Sequence, residues 1–249
     1  MNFNFQNKKI LVTGTSQGIG KSIVEEFLKY DAKVCGISRK LVTFNKNYYH
    51  IKQDVNKLDS VNLIIKKLKK INFWPIDIVV HNVGGTLGIT DPFCSIKDWR
   101  KIFRLNFEFA VELNNKIVSP MVKKKWGRII HVSSISGMEN QGPVTYCSAK
   151  AALTAYSRSM GGVLAPKGIV VSCILPGAVY SEGNYWDNKI KSDPKYVKKY
   201  LKERQRIGRF GNVKEISDFI IFLSSSNASF NTGSIIPIDG GQGRGYFGQ

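Results

Sequence analysis

Tyr146 and Lys150 stand four positions apart and have the residue types needed for proton transfer. They belong to the segment Y-C-S-A-K-A-A-L, whose alanines favour a helix, and residues four apart on a helix lie side by side. A neighbouring ammonium favours the phenolate and makes the phenol a stronger acid. The alternative interpretation is an ordinary helix pair without a chemical role.

Two hydroxyl groups precede this pair. Ser133 and Ser134 follow the apolar run I-I-H-V, which predicts a serine at the end of a strand, facing the same space as Tyr146. A phenol, an ammonium and a hydroxyl together suit the interconversion of a carbonyl and an alcohol.

A glycine-rich turn joins the first predicted strand, Lys8 to Gly14, to the helical pattern K-S-I-V-E-E-F-L-K-Y. The turn reads T-G-T-S-Q-G-I-G. Gly14, Gly18 and Gly20 allow the backbone to turn tightly and to approach a pyrophosphate, whose charge a helix N-terminus favours. A glycine-rich turn that binds no ligand is the alternative.

The second predicted strand ends at Ser38, about 20 residues beyond the glycines, where an acidic residue would hold the ribose of NAD. Ser38 is followed by Arg39 and Lys40. Two cations and no carboxylate favour NADP(H) over NAD(H), because cations pair with the additional phosphate.

The third predicted strand, Y-Y-H-I-K-Q-D-V, ends at Asp54. Its carboxylate has two compatible predicted roles. It accepts a hydrogen bond from an adenine amino group, or it caps the helix predicted from Lys57 to Lys70.

Strands and helices alternate along the chain, which predicts one domain with a doubly wound, mostly parallel sheet of seven strands. Ser95 and Asp98 form a capping pattern for a long helix that contains Asn106, either as a packing or solvated amide or as a catalytic residue. The further strands are predicted at 75–85, 127–134, 168–177 and 234–241, and the further helices at 95–124, 146–164 and 213–223.

The segment from Tyr180 to Phe210 interrupts this alternation. It is polar and basic, and it follows the carboxyl end of a strand, where open α/β sheets bind ligands. We predict a substrate lid, with a solvated amphipathic helix as the alternative.

Composition limits the classes of protein. Four cysteines without a C-x-x-C pair argue against a disulfide framework or a metal site, and no signal peptide or membrane span is found, so a cytoplasmic protein is expected. The formal net charge of +19 predicts attraction to anions: a phosphorylated cofactor, an acidic substrate, an acidic carrier protein or nucleic acid. A biased composition without a functional cause explains the charge equally well.

Eight motifs, taken in order, resemble the short-chain dehydrogenase/reductase family across essentially the whole chain. They are T-G-T-S-Q-G-I-G, N-V-G at 82–84, Asn106, S-S-I-S-G, Y-C-S-A-K, L-P-G at 175–177, R-I-G-R-F-G at 206–211 and T-G-S-I-I-P-I-D-G-G at 232–241. The resemblance implies a Rossmann-type NADP(H) oxidoreductase.

The resemblance also implies roles for individual residues. Tyr146 would be the general acid, Lys150 would hold the nicotinamide ribose and lower the Tyr146 pKa, and Ser134 would bind the substrate oxygen. Asn106 would hold a water that supplies protons. The loop before Tyr146 fits Ser133 better by count, whereas the strand alignment favours Ser134. The positions implied in cofactor binding are Gly14, Ser16, Gln17, Gly18, Ile19, Gly20, Ser38, Arg39, Asp54, Val55, Asn82, Gly84, Tyr146, Lys150, Pro176, Gly177, Val179 and Ser181.

The substrate remains open at this point. The chain is similar to the 3-oxoacyl-acyl carrier protein reductases, and Arg128 and Lys167 are candidates for docking an acidic carrier. The basic lid, with its aromatic residues, equally suits an anionic or sugar-derived ketone. The family implies a homotetramer. The C-terminal tail, 241–249, departs from the family pattern and is expected to pack across a subunit interface or to shape the pocket. A catalytically idle NADPH sensor and a basic nucleic-acid binder are the alternatives from other classes.

Overall fold

The computed structural model describes residues 3–139 and 141–244, whose strands form a large parallel sheet and a small one. The strands of the described residues are β1 (Lys9–Thr13), β2 (Lys33–Ser38), β3 (Tyr48–Lys52), β4 (Ile78–His81), β5 (Gly127–Val132), β6 (Ile169–Pro176), β7 (Val179–Tyr180), β8 (Gly211–Asn212) and β9 (Ser234–Ile238). The large sheet has seven strands in the order β3-β2-β1-β4-β5-β6-β9, which confirms the predicted α/β doubly wound fold.

Eight α-helices connect the strands of the described residues. They are α1 (Gly18–Lys29), α2 (Ser60–Lys70), α3 (Ile96–Phe103), α4 (Phe109–Lys124), α5 (Val144–Leu164), α6 (Tyr185–Ser192), α7 (Pro194–Arg204) and α8 (Val213–Ser224). None of the helices within 3–139 and 141–244 is both long and apolar enough to cross a bilayer.

The central strands are apolar on both faces because helices cover both faces of the sheet. Along β1, Ile10 and Val12 belong to the core cluster that includes α1 and α8, whereas Leu11 belongs to the cluster on the opposite face, with α2 and α4. The strand order reverses between β1 and β4, which pair directly. A crevice is expected outside the carboxyl ends of two such strands.

The long helix predicted from Ser95 begins as expected but is not uniform. Ser95 is the N-cap and accepts a hydrogen bond from the Asp98 amide at 3.2 Å. A π-helical turn, Arg104–Glu108, separates α3 from α4, and Asn106 lies at its centre. Single π turns of this kind are frequent at functional sites.

The predicted capping role of Asp54 is wrong. Strand β3 ends at Lys52, and α2 begins only at Ser60, with Asp59 at its N-cap. Asp54 instead accepts a hydrogen bond from the Asn56 amide at 3.0 Å, within the connecting loop.

The segment from Tyr180 to Phe210, which we call the lid segment, contains two helices, α6 and α7. Asn184 caps α6 and Asp193 caps α7, each by accepting from a backbone amide three residues further on. The short parallel pairing of β7 with β8 brings the two ends of the lid segment together. The lid segment is therefore a folded unit next to the carboxyl end of β6.

Candidate active site

Ser134 and Tyr146 meet beyond the carboxyl end of β5. Ser134 lies two residues after β5, and Tyr146 lies in the first turn of α5. Burial raises the pKa of Tyr146 to about 12, and the hydrogen bond with Ser134 acts in the opposite direction without offsetting it. The phenol is therefore protonated at neutral pH.

Lys150 lies one helical turn along α5 and is buried, with 2% of its surface exposed. Its Nζ donates to the Val132 carbonyl at 2.9 Å and lies 5.7 Å from the centre of the Tyr146 ring. Burial lowers the pKa of Lys150 to about 8. The pKa of Tyr146 is thus raised in this structure and not lowered as expected, because desolvation of the phenol is the largest effect on it.

The two adjacent serines have different surroundings. Ser133 Oγ donates to the Lys150 carbonyl at 3.0 Å and lies 3.0 Å from Thr154 Oγ1, so it is turned into α5. Ser134 Oγ accepts from the Ser136 amide at 3.1 Å and reaches Tyr146. The geometry thus brings Ser134, not Ser133, to the phenol.

Asn106 fixes the turn that follows β4. Its Nδ2 donates to the carbonyls of Gly85 and Ile102, both at 2.9 Å, and its Oδ1 accepts from the Gly85 amide at 2.9 Å. A Cβ added to Gly84 would lie 2.8 Å from Asn106 Oδ1 and 2.9 Å from Lys150 Nζ. A side chain at position 84 would displace the Asn106 amide or the Lys150 ammonium, so glycine allows the turn and these two groups to pack together.

A cleft of about 450 Å³ opens at the carboxyl ends of β1 and β4. Its lining includes eleven of the positions implied in cofactor binding, together with Lys40, Val83 and Asn184. The eleven are Gly14, Ser16, Gln17, Gly18, Ile19, Gly20, Arg39, Asn82, Gly84, Val179 and Ser181.

The phosphate end of this cleft suits an anion. Gly14 has φ +76°, and a Cβ on Gly20 would lie 2.1 Å from the Gly14 carbonyl oxygen, so the turn requires glycine at both positions. Helix α1 starts there with neither a side-chain cap at Gln17 nor an acidic residue in its first turn. Its first amides and its dipole are therefore directed at the cleft.

The opposite wall of the cleft follows β6. A Cβ on Gly18 would lie 3.0 Å from Ser181 Oγ, so the loop after β6 approaches the glycine turn closely. Pro176 and Gly177 lie behind this wall, where a Cβ on Gly177 would lie 2.8 Å from Gln242 Oε1. Tyr146 and Lys150 also lie outside the cleft lining, beyond Gly84, which borders both regions.

Ser38, Asp54 and Val55 follow or end β2 and β3, and these three positions do not line the cleft although they were implied in cofactor binding. Arg39 is exposed and lines the cleft, whereas Ser38 is buried and its Oγ donates to the Lys40 carbonyl at 2.6 Å. Val55 is a core residue, 5% exposed. Neither Ser38 nor Val55, nor Asp54, contributes to the lining.

The predicted carrier-docking role of Arg128 is wrong. Arg128 is 4% exposed, its Nε donates to the Ser225 carbonyl at 3.2 Å, and its guanidinium lies 4.9 Å from the Trp126 ring centre. Lys167 is exposed, but it precedes the amino end of β6. The amino ends of parallel strands lie at the edge opposite the cleft, so neither residue borders the site.

Sequence reasoning missed a polar cluster close to the candidate catalytic residues. Gln242 Nε2 donates to Gln141 Oε1 at 2.9 Å and to Tyr200 Oη at 2.5 Å. Asn184, in the cleft lining, was also missed, although its place before Y-W-D is a capping signal. Gln242 carries no local pattern, since its partners come from distant parts of the chain.

Comparison with known proteins identifies the family. A family profile described as short chain dehydrogenase matches residues 8–189. The chain is a member of the short-chain dehydrogenase family. It is therefore an oxidoreductase, and the interconversion of a carbonyl and an alcohol is the chemistry of its family.

Relatives of this family member align along almost its entire length. It is 30% identical to the 3-oxoacyl-[acyl-carrier-protein] reductase of Aquifex aeolicus, over 97% of this chain and 99% of the relative. It is also 30% identical to the enzyme of the same name from Escherichia coli, over 96% of this chain and 98% of the relative. Among solved structures, L-sorbose reductase from Gluconobacter frateurii, complexed with NADPH and L-sorbose, superposes with a TM-score of 0.89. The two sequences are 26% identical, and the superposition covers 99% of this chain and all of the L-sorbose reductase chain.

Proposed function

We propose that this protein is an NADPH-dependent reductase that converts a ketone to a secondary alcohol, with Tyr146 as the proton donor. The observation that carries the proposal is the grouping of Tyr146, Ser134 and Lys150 directly beyond Gly84, at the inner end of the phosphate-binding cleft. When bound, NADPH supplies the hydride. The side chains supply orientation and the proton.

Each side chain acts at a definite atom. The Ser134 hydroxyl donates to the substrate oxygen as negative charge develops there, and the Tyr146 phenol transfers its proton to the same oxygen. A pKa of about 12 keeps this proton on Tyr146 until the substrate oxygen becomes the stronger base. The Lys150 ammonium then stabilises the phenolate that forms. Asn106 Oδ1 retains one acceptor position for a water that connects Lys150 to solvent.

The end of β2 supports NADP(H) as the cofactor. Arg39 and Lys40 both line the cleft and both are exposed, so their charges are available to a phosphate. The buried Ser38 takes the place where a carboxylate would repel that phosphate. The structural relative at 26% identity was solved with NADPH.

A 3-oxoacyl thioester is the substrate class that we propose first. It is supported by the 30% identity, along the whole chain, to reductases that act on such thioesters bound to a carrier protein. Carrier docking would use the basic lid segment, since Arg128 is buried. A polar ketone is the second candidate, favoured by the amides of Gln141 and Gln242 and the Tyr200 hydroxyl beside the site.

An assay of NADPH oxidation separates these candidates. Acetoacetyl thioesters of coenzyme A and of a carrier protein are tested beside a panel of keto sugars, with the Tyr146→Phe variant as the blank for each substrate. Turnover of the thioesters alone supports the first candidate, and turnover of keto sugars alone supports the second. NADPH oxidation on no carbonyl, combined with salt-sensitive DNA binding, would instead favour a basic nucleic-acid binder.

We also propose that the protein assembles as a homotetramer. Two large apolar side chains support self-association: Val163 on α5 is 56% exposed, and Phe230 is fully exposed. Light scattering on the purified protein measures the mass of the assembly. Replacing both residues with serine is expected to lower that mass, and a monomeric wild-type protein would contradict the proposal.

A further inference from the structure

Gln242 makes three hydrogen bonds through its side-chain amide, each to a different segment around the active site. Its Oε1 accepts from the Ala178 amide at 2.8 Å, and its Nε2 donates to Gln141 Oε1 at 2.9 Å and to Tyr200 Oη at 2.5 Å. The side chain is 4% exposed. One buried amide thus connects the loop after β6, the loop before α5 and the helix α7.

The contact with Gln141 continues to the catalytic serine. The Gln141 carbonyl accepts from Ser136 Oγ at 2.8 Å, and the Ser136 amide donates to Ser134 Oγ at 3.1 Å. A displacement of Gln141 is therefore transmitted through two hydrogen bonds to the hydroxyl that contacts Tyr146.

The contact with Tyr200 determines the position of α7. The Tyr200 ring lies 4.3 Å from the Trp186 ring, centre to centre, and Trp186 lies 4.8 Å from Phe210. These three aromatic residues join α6, α7 and the end of the lid segment at Phe210. The hydrogen bond from Gln242 to Tyr200 connects this aromatic cluster to the segment that follows β9.

The contact with Ala178 supports the loop after β6. We call this the nicotinamide loop, because it begins at Gly177, a position implied in cofactor binding. Gly177 leaves no room for a side chain on that side, because its Cβ would lie 2.8 Å from Gln242 Oε1 and 2.8 Å from the Asp239 Cα. The loop is thus held from behind by the segment that follows β9.

We infer that Gln242 is a positioning residue of the reductase, whose amide fixes the Ser134 loop, the nicotinamide loop and the lid segment in one catalytic geometry. The inference rests on the proposed reductase function and extends it to a residue whose side-chain hydrogen bonds go to neither Tyr146 nor Lys150. Misplacement of reacting groups by about 1 Å costs about 100-fold in rate. Loss of this amide should therefore affect the hydride-transfer step more than NADPH affinity.

The test compares Gln242→Met, which keeps the length of the side chain and removes all three hydrogen bonds, with Gln205→Met. Gln205 is an equally buried glutamine that binds the same C-terminal segment through the Asp239 carbonyl at 2.9 Å, but none of the three groups above. Gln242→Glu retains an acceptor for Ala178, and the Tyr200 hydroxyl can reverse to donate to it. It loses the donor to Gln141 Oε1 and places a charge in a buried position, so it is the variant expected to recover only part of the activity.

Hydrogen–deuterium exchange provides a readout that does not depend on turnover. In Gln242→Met, faster exchange is expected at 141–143, 177–183 and 185–204 together, both with and without NADPH. In Gln205→Met, faster exchange is expected only near the end of α7. Unchanged exchange in the three regions of Gln242→Met would overturn the inference, even if the wild-type protein reduced no carbonyl and the proposed function failed.

Kinetics test the catalytic consequence. We expect Gln242→Met to lower kcat by about 10- to 100-fold, to increase the primary isotope effect with deuterated NADPH, and to leave the NADPH dissociation constant within about twofold. Gln205→Met should leave kcat within about twofold. Equal losses in the two variants would mean that Gln242 acts only through stability. If Gln242→Met does not fold, Tyr200→Phe, which removes a single acceptor, is expected to show the same isotope effect to a smaller degree, and its absence would overturn the inference.

Discussion

Lys150 Nζ lies 5.7 Å from the centre of the Tyr146 ring while it donates to the Val132 carbonyl at 2.9 Å. Burial shifts the pKa values of the two groups in opposite directions: it raises the pKa of Tyr146 to about 12 and lowers the pKa of Lys150 to about 8. Both shifts arise because burial disfavours the charged form of each group. In the proposed reaction, the phenolate formed when Tyr146 gives up its proton is the charge that the Lys150 ammonium would balance.

Replacing Tyr146 with phenylalanine removes the proton donor and leaves the ring in place. Since general acid catalysis contributes about 100- to 10,000-fold, kcat should fall at least that far. The phosphate-binding turn is untouched, so NADPH affinity measured by fluorescence should stay within about twofold of the wild type. Near-normal turnover in this variant would remove Tyr146 from the mechanism.

Ser133 and Ser134 provide a matched pair of substitutions. Ser134→Ala removes the group that we place at the substrate oxygen and should lower kcat by about 100- to 1,000-fold, with little change in stability. Ser133→Ala removes hydrogen bonds to the Lys150 carbonyl and Thr154, and should lower the free energy of unfolding by about 1 kcal/mol. Kinetics and urea unfolding on both variants measure the two effects. The reverse result would exchange their roles.

The sheet was predictable because its strands are short apolar runs bounded by glycine and polar residues. The run K-I-L-V-T predicts a strand covered on both faces, and Ile10 and Leu11 do belong to opposite core clusters. The π turn around Asn106 was not predictable, since the apolar spacing of 95–124 fits a continuous helix. The pairing of β7 with β8 was missed because two-residue strands leave no periodic pattern.

The candidate site also has a part that the sequence predicts and a part that it does not. Gly14, Gly18 and Gly20 predict a phosphate-binding turn from the sequence alone, because the local backbone geometry favours glycine at these positions. Gln242 has no such signal, because its function depends on Gln141, about a hundred positions away. The direction in which the Tyr146 pKa shifts could not be predicted from the sequence either, since it depends on the burial of the phenol.

Replacing Arg39 with aspartate should reverse the cofactor preference. A charge-assisted hydrogen bond to phosphate contributes about 1.5–3 kcal/mol, so NADPH affinity should fall by about 10- to 100-fold, while NADH affinity holds or improves. Lys33→Asp is the matched control, because Lys33 is an exposed cation at the other end of β2. Titration of both variants with both cofactors gives the ratio. An identical ratio in the two would show that Arg39 does not contact the phosphate.

The rate of ketone reduction should fall as the pH rises through about 8. In the proposed mechanism the Lys150 ammonium stabilises the Tyr146 phenolate, and this charged form is lost as the pH passes its lowered pKa of about 8. The Tyr146 phenol stays protonated over this range because its pKa is about 12. A profile of kcat from about pH 6 to about pH 10 measures the decline. In Lys150→Met this pH dependence should disappear along with most of the rate, and a wild-type profile that stays level to the upper limit would exclude the assigned role.

Acid should destabilise the protein through His81. This histidine is 3% exposed, its Nε2 lies 2.8 Å from Asn114 Oδ1, and burial lowers its pKa from 6.5 to about 4. His81 therefore binds a proton more weakly in the folded protein than in the unfolded chain. The free energy of unfolding falls as the pH decreases from 6.5 toward 4. Between about pH 7 and about pH 5 the cost is about 2 kcal/mol.

His81→Gln is the variant that isolates this effect, since glutamine keeps a donor toward Asn114 and does not titrate. Urea unfolding at both pH values should show about 2 kcal/mol less acid-induced loss in His81→Gln than in the wild type. His50→Gln is the control, because His50 is only partly buried and should change the acid-induced loss much less. An equal loss in wild type and His81→Gln would mean that the buried imidazole takes up its proton without unfolding, through rearrangement of its neighbours Asn114 and His131.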